Sequence, residues 1–216
     1  MHAFRDVATA AYCPRKLYYR RRDPEAVDTP EEVAARRRLA FRYEELLDSD
    51  PELLAAPIEV TPTQYRSRLG RTKARLDAWE ELADPDEREV HLDGRECRGV
   101  AHKITAGPPR PSLVFAGEPP EQGVWEPQTV RLVAAAKALA WERETPVETA
   151  FAEYPAYGVV RRVPLTTRRK AAYRSALRTA ERIDGPPGRV ENDAKCAPCE
   201  YRDDCGTQTR SLRSLL

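Results

Sequence analysis

Four of the five cysteines are grouped in a way that could hold a metal. Cys196, Cys199 and Cys205 form a C-x2-C-x5-C run near the C-terminus, and Cys13 stands alone in Tyr12-Cys13-Pro14-Arg15-Lys16. Thiolates at such gaps can converge on one centre, because a tight turn aims neighbouring side chains at the same point. Three ligands leave a tetrahedral centre one short, and Cys13 is the candidate fourth. One cofactor would then tie the two ends of the chain together. Spacing leaves zinc and iron–sulfur both open. Structural zinc more often pairs two C-x2-C knuckles, whereas a cubane iron–sulfur cluster accepts thiolates from scattered positions. A disulfide framework does not suit a chain of this length read as cytoplasmic. Cys97 is left over and reads as a small buried apolar residue.

The elements that would position these thiols can be traced in outline. Thr29-Pro30-Glu31-Glu32 is a helix start, with a capping hydroxyl, a proline at the first position and acids in the first turn. That helix is expected to run to about Asp48, with Leu39, Tyr43, Leu46 and Leu47 on one face. Residues 57–116 are expected to be β-rich. Within them Glu89-Val90-His91-Leu92 alternates, Asp93-Gly94 is a hairpin turn, and 99–104 and 113–115 read as further strands. Pro127 opens a second helix, through Leu132, Val133 and Leu139 to about Arg143. Residues 147–154 and 159–165 read as a strand pair. A third helix starts at Thr166-Thr167, carries Tyr173, Ala176, Leu177, Ala180 and Ile183 on one face, and stops at Asp184-Gly185-Pro186-Pro187. This order predicts an α/β fold with a central mixed sheet flanked by helices. The proline-rich loops at 107–111 and 118–120 leave pieces too small to bury cores alone, so residues 1–216 are expected to form a single domain.

Composition limits the function classes. With 36 Lys and Arg against 35 Asp and Glu, the formal net charge is +1, so any nucleic-acid surface must be local. The basic residues are overwhelmingly arginine, which suits planar contact with phosphate or carboxylate. No apolar run approaches the roughly 18 residues of a membrane span and the N-terminus has no signal-peptide core, so a cytoplasmic protein without membrane contact is expected. Two segments are locally basic. In the segment from Arg15 to Arg22, Arg15, Lys16 and Arg20 could clamp phosphates while Tyr19 stacks on an exposed base. On the third helix Arg174, Arg178 and Arg182 form a stripe opposite the apolar face, below Arg168, Arg169 and Lys170; such a stripe is also what a solvated face looks like.

The Cys13-Pro14-Arg15-Lys16-Leu17-Tyr18-Tyr19 element, taken with Lys195-Cys196-x-x-Cys199-x5-Cys205, resembles the CRISPR-associated RecB-like exonucleases (the Cas-four type) of the PD-(D/E)XK nuclease superfamily. The resemblance spans nearly the whole chain. It implies a [4Fe–4S] cluster on Cys13, Cys196, Cys199 and Cys205, held by segments 1–22 and 190–210. It also implies a RecB-like, restriction-endonuclease-type mixed sheet flanked by helices, with DNA as substrate. Family members use a helix histidine, an aspartate in a Gly-x-x-Asp strand, a Glu-x-Lys strand, and a helix opened by glutamine with tyrosine four residues on. Carboxylates and histidine hold Mg or Mn, and the lysine offsets charge on the attacked phosphate.

Here that pattern is mostly missing. Tyr43 stands for the histidine, His102 for the aspartate, and Leu113 and Phe115 for the Glu-x-Lys pair. Gln128 survives, but its partner position is Leu132. His102 and Gln128 are therefore the vestigial catalytic positions. The expected function is DNA binding at ends or single strands, beside CRISPR-adaptation or repair proteins, with cleavage lost or weakened. One alternative is an active Mg- or Mn-dependent exonuclease in which His102 is joined by acids recruited from Asp77, Glu118, Glu121 or Glu126. Another is an interaction protein stabilised by a cluster or zinc, with no DNA role.

Overall fold

The computed structural model describes residues 1–23, 30–190 and 192–205. Thr29, expected to cap the first helix start, and residues 206–210 of the expected cluster-binding segment lie outside the described residues. The chain opens with a short strand β1 (His2–Ala3) and two helices, α1 (Phe4–Tyr12) and α2 (Pro14–Arg22). Next come five helices, α3 (Glu31–Arg38), α4 (Tyr43–Asp48), α5 (Asp50–Ala55), α6 (Pro62–Lys73) and α7 (Trp79–Ala83). Three strands follow: β2 (Glu87–Asp93), β3 (Cys97–Thr105) and β4 (Arg110–Val114). The chain continues through α8 (Glu126–Glu142), β5 (Thr149–Tyr154), β6 (Val159–Pro164), α9 (Thr167–Glu181) and α10 (Asp193–Cys196).

The six strands form one mixed sheet in the order β1-β3-β4-β5-β6, with β2 antiparallel to β3 on its other edge. β1 runs parallel to the start of β3 at Cys97 and Arg98, and β4 runs antiparallel to its end at Lys103–Thr105. Between these pairings, 99–102 on that edge of β3 has no strand partner among the described residues. Phe4 at the head of α1 lies against this gap: a Cβ on Gly99 would stand 2.5 Å from its ring.

One face of the sheet is covered by α8, with α1 and α9 packed beside it. α8 is rich in alanine, the best helix former, and buries Val130, Leu132, Val133 and Leu139 together with Ala134, Ala135, Ala136 and Ala138. The small side chains let the helix lie close to the strands. The opposite face carries residues 39–41 and α4 to α7, with Leu39, Tyr43, Leu46, Leu53, Tyr65, Leu69 and Trp79 buried over Val114 and Phe151.

Two expectations are corrected. The helix predicted to run to Asp48 breaks: α3 ends at Arg38, a 3₁₀ turn spans Leu39–Phe41, and Arg42 is non-helical before α4 starts. The carbonyl of Ala40, which a continuous helix would turn toward the amide of residue 44, instead accepts from the ammonium of Lys103 at 2.6 Å. The β-rich reading of 57–116 holds only from Glu87 onward. Thr61 and Gln64 form a reciprocal capping box with Pro62 in the first turn, and this starts α6 within the stretch expected to be β-rich.

Candidate functional site

Cys13 is the joint between α1 and α2. Its amide still bonds to Thr9 at 2.8 Å, its carbonyl accepts from Leu17 at 3.3 Å, and Pro14 fixes the first turn beyond it. At the other end Asn192 caps α10, the amide of Cys199 bonds to the carbonyl of Cys196, and that of Cys205 to Tyr201. These two segments close on each other. The Tyr12 hydroxyl donates to the Lys195 carbonyl at 3.3 Å and the Lys195 ammonium to the Tyr12 carbonyl at 3.1 Å. Arg15 donates to the carbonyls of Pro187 and Cys205, Lys16 pairs with Glu200 at 2.7 Å, and the Tyr19 hydroxyl donates to the Asp204 carbonyl.

All four thiols, Cys13, Cys196, Cys199 and Cys205, border one cavity of about 20 Å³ between the two segments, and none is in a disulfide. The donor set suits a soft metal or an iron–sulfur cluster: four thiols around one cavity that Arg15, Lys16 and Lys195 also line. The space holds about one water molecule, and among the described residues no group of three His, Cys, Asp or Glu side chains is placed to hold a metal ion. Cys97 lies elsewhere, buried, with its sulfur 3.3 Å from the hydroxyl of Tyr173.

Of the positions that the resemblance assigns to a nuclease centre, His102 and Leu113 lie on the strands beside α8, Phe115 just past β4, and Gln128 and Leu132 on α8 itself. His102 is buried, and its Nδ1 accepts from the amide of Val114 at 3.1 Å, closing the β3 edge where strand pairing stops. A ring nitrogen that accepts from an amide leaves the proton on Nε2, so the imidazole presents a donor rather than a lone pair. Burial first, then the charges of Arg131, Arg37 and Lys103, push its pKa down to about 3. The same cations would repel a divalent ion. On the other edge of β3, Glu89 stands opposite His102 and drops out of the ladder with φ 48°, a left-handed conformation that is strained for glutamate.

Leu113 and Leu132 are core residues, and Phe115 packs on Tyr154 with ring centroids 5.6 Å apart. The Gln128 side-chain carbonyl accepts from the Tyr154 hydroxyl at 2.5 Å. Tyr43, the first residue of α4, is buried in the core on the other face of the sheet. Asp77, Glu118, Glu121 and Glu126 are all exposed, and Asp77 pairs with Arg110 at 3.4 Å.

The basic residues divide into those with partners and those without. Arg20 is held by Asp6 and Thr9, each at 2.6 Å, and Tyr19 stacks on Tyr201. Arg174 and Arg178 are exposed on the far side of α9 from its buried face. An open cleft of about 460 Å³ runs beside α1 and the head of α8, lined by Arg5, Lys16, Arg20, Phe115, Gln128 and Arg131. Tyr12 and Lys16 line both this cleft and the thiol cavity.

Two groups escape a reading by motif. On the face away from α8, fully buried Lys103 donates to Ala40, Leu82 and Glu153, at 2.6, 2.5 and 2.8 Å, and Ser112 donates to the same carboxylate. On the α8 face Arg131 has its Nε buried without a hydrogen-bond partner. The signal for Arg131 was its place within Val130-Arg131-Leu132-Val133, and that for Lys103 a lysine inside an apolar strand. Neither a known family model nor a curated protein sequence matches the chain. Among the described residues no helix is long and apolar enough to cross a membrane.

Proposed function

We propose that this is a DNA-binding protein of the RecB-like, Cas-four type, taking DNA ends or single strands in the cytoplasm during CRISPR adaptation or repair, with metal-dependent cleavage lost or much weakened. The observation that carries the reading is the shared wall formed by Tyr12 and Lys16, which puts the four-thiol cavity and the arginine-lined cleft back to back. The cysteines would hold a [4Fe–4S] cluster, with zinc as the alternative occupant. The cluster's part is structural: it closes the loop between the chain ends and so fixes one wall of the cleft. Seating it requires the cavity to open, because the space between the thiols is about 20 Å³.

The weakness of cleavage follows from the residues at the metal positions. Leu113 and Phe115 offer no oxygen ligands, His102 offers a donor, and the surrounding charge is cationic. With a net charge of +1, binding rests on the local cleft and should fall steeply with salt.

The test is anaerobic incubation of iron-loaded protein with end-labelled single-stranded DNA, with and without Mg or Mn, alongside binding at several salt concentrations. Salt-sensitive binding with intact label is expected. Metal-dependent shortening would establish the exonuclease alternative, and no binding at low salt would leave the interaction protein. Cys199→Ser should lose bound iron and several kcal/mol of stability, read by metal analysis and urea unfolding. Full iron content and unchanged unfolding would remove the cluster assignment.

A further inference from the structure

Several cations set into this protein are paired with carboxylates. Arg20 has Asp6, Arg36 has Glu32 and Glu59, and Arg110 has Asp77 and Glu81. Arg131 has no salt bridge or hydrogen bond among the described residues, and its guanidinium lies over the ring of Phe115, 5.9 Å from the centroid, on the wall of the cleft. Arg37, from α3, has its Nε buried and unpartnered in the same way. Arg5 joins Arg131 on the cleft wall and is likewise without a carboxylate among the described residues.

These charges act on one another. Burial, then Arg37 and Arg5, lower the pKa of Arg131 to about 10, with Glu89 opposing. Below them lies neutral His102, in a stretch of β3 where both edges depart from regular pairing, at Glu89 on one side and Val114 on the other. Three guanidinium groups are thus opposed by the one carboxylate of Glu89, which makes no ion pair or hydrogen bond with them among the described residues, and an anion would complete the cluster. A guanidinium presents a planar fork that matches phosphate oxygens. The flanking Phe115 and Gln128 supply an apolar floor and an amide at the same wall.

We infer that Arg131, with Arg37 and Arg5, forms a phosphate subsite needing no divalent ion, in which fixed guanidinium charge stands where a nuclease would hold its metal. The ligand chemistry is a phosphoryl oxyanion, either an internal phosphodiester or the terminal phosphate of a strand. The inference rests on the DNA-binding reading for the identity of the strand, but the subsite itself can be tested without DNA.

The experiment uses iron-loaded full-length protein without added divalent metal. It measures anisotropy with labelled single strands bearing a 5′-hydroxyl or a 5′-phosphate, and thermal protection by inorganic pyrophosphate. Arg131→Gln should weaken DNA binding by at least about tenfold, as expected for losing charge-assisted hydrogen bonds to phosphate. It should also abolish protection by pyrophosphate, with ligand-free melting unchanged or raised. Preference for the 5′-phosphate strand assigns the terminal group, and equal binding assigns the phosphodiester.

Equal DNA affinity in wild type and Arg131→Gln overturns the subsite while leaving DNA binding in place. Pyrophosphate protection that is lost in the variant, with no DNA affinity in wild type, supports the subsite and removes the DNA reading. Binding of neither probe by the wild type removes both. If Arg131→Gln does not fold, the more peripheral Arg5→Gln/Arg37→Gln pair decides: affinity for both probes should fall, and unchanged affinity overturns the subsite.

Discussion

Lys103 and Arg131 are cations drawn inward on opposite faces of the same sheet, and the protein treats them in opposite ways. The Lys103 ammonium has three protons and three acceptors: the carbonyls of Ala40 and Leu82 and the carboxylate of Glu153. It closes the broken helix at Leu39–Phe41, caps the end of α7 and neutralises a buried acid. Arg131, half-buried on α8, stands among Arg37, Arg5 and the carboxylate of Glu89 and makes no hydrogen bond or ion pair with any of them among the described residues. A saturated buried charge builds the fold, whereas an unsaturated one marks a place reserved for something else. The two face opposite layers, so the α4–α7 face is structural and the α8 face with its cleft is the candidate for binding.

The largest effect that could break this comparison is on the saturated side. Glu153→Ala leaves a buried ammonium with carbonyls alone and should cost about 3–5 kcal/mol in urea unfolding. A loss below about 1 kcal/mol would mean that the carbonyls suffice and the pair is not structural.

His102 gives the next effect. Its imidazole stays neutral in the folded protein down to about pH 3, while in the unfolded chain it takes up a proton near 6.5. The unfolded state binds more protons throughout that window, so stability falls as pH drops from 6.5 and the loss levels off below about 3. The slope from this group is at most about 1.4 kcal/mol per pH unit. His102→Asn, which keeps an acceptor for the Val114 amide, should flatten the unfolding free energy between pH 7 and pH 4 by part of that amount. An unchanged profile would mean the ring is protonated in place, without the cationic surroundings described.

The smallest effect sharpens the contrast. Arg131→Leu should raise ligand-free stability by about 1 kcal/mol, because it removes repulsion and adds apolar contact, while DNA binding is lost. A destabilised variant would move Arg131 to the structural side alongside Lys103.

Much of the framework was visible in local pattern. The β2–β3 hairpin, the β5–β6 pair and the helices α8 and α9 fall where alternation, turn residues and periodicity put them. On α9 Tyr173, Ala176, Leu177 and Ala180 are buried as their spacing predicts, with Ile183 half-buried just beyond the helix. The β-rich reading failed over residues 62–83, where the capping box at Thr61 and Gln64 is a helix signal already present in the sequence. The break at Leu39–Phe41 had no local signal, since it depends on an ammonium arriving from β3, more than sixty residues away in sequence.

The candidate site divides along the same line. Cysteine spacing was enough to select Cys13, Cys196, Cys199 and Cys205, because side-chain chemistry and short gaps are written along the chain. The basic segment Arg15–Arg22 also stood out, but its charge count could not tell that Arg15 reaches the carbonyls of Pro187 and Cys205, that Lys16 meets Glu200, or that Arg20 meets Asp6. Sequence determined which groups are present and, through hydrophobic period and caps, most of the strands and long helices. Only the tertiary structure decided which charges find a partner, because partnership depends on distances between segments remote along the chain. That is why Lys103 is spent on the fold and Arg131 is left facing the cleft.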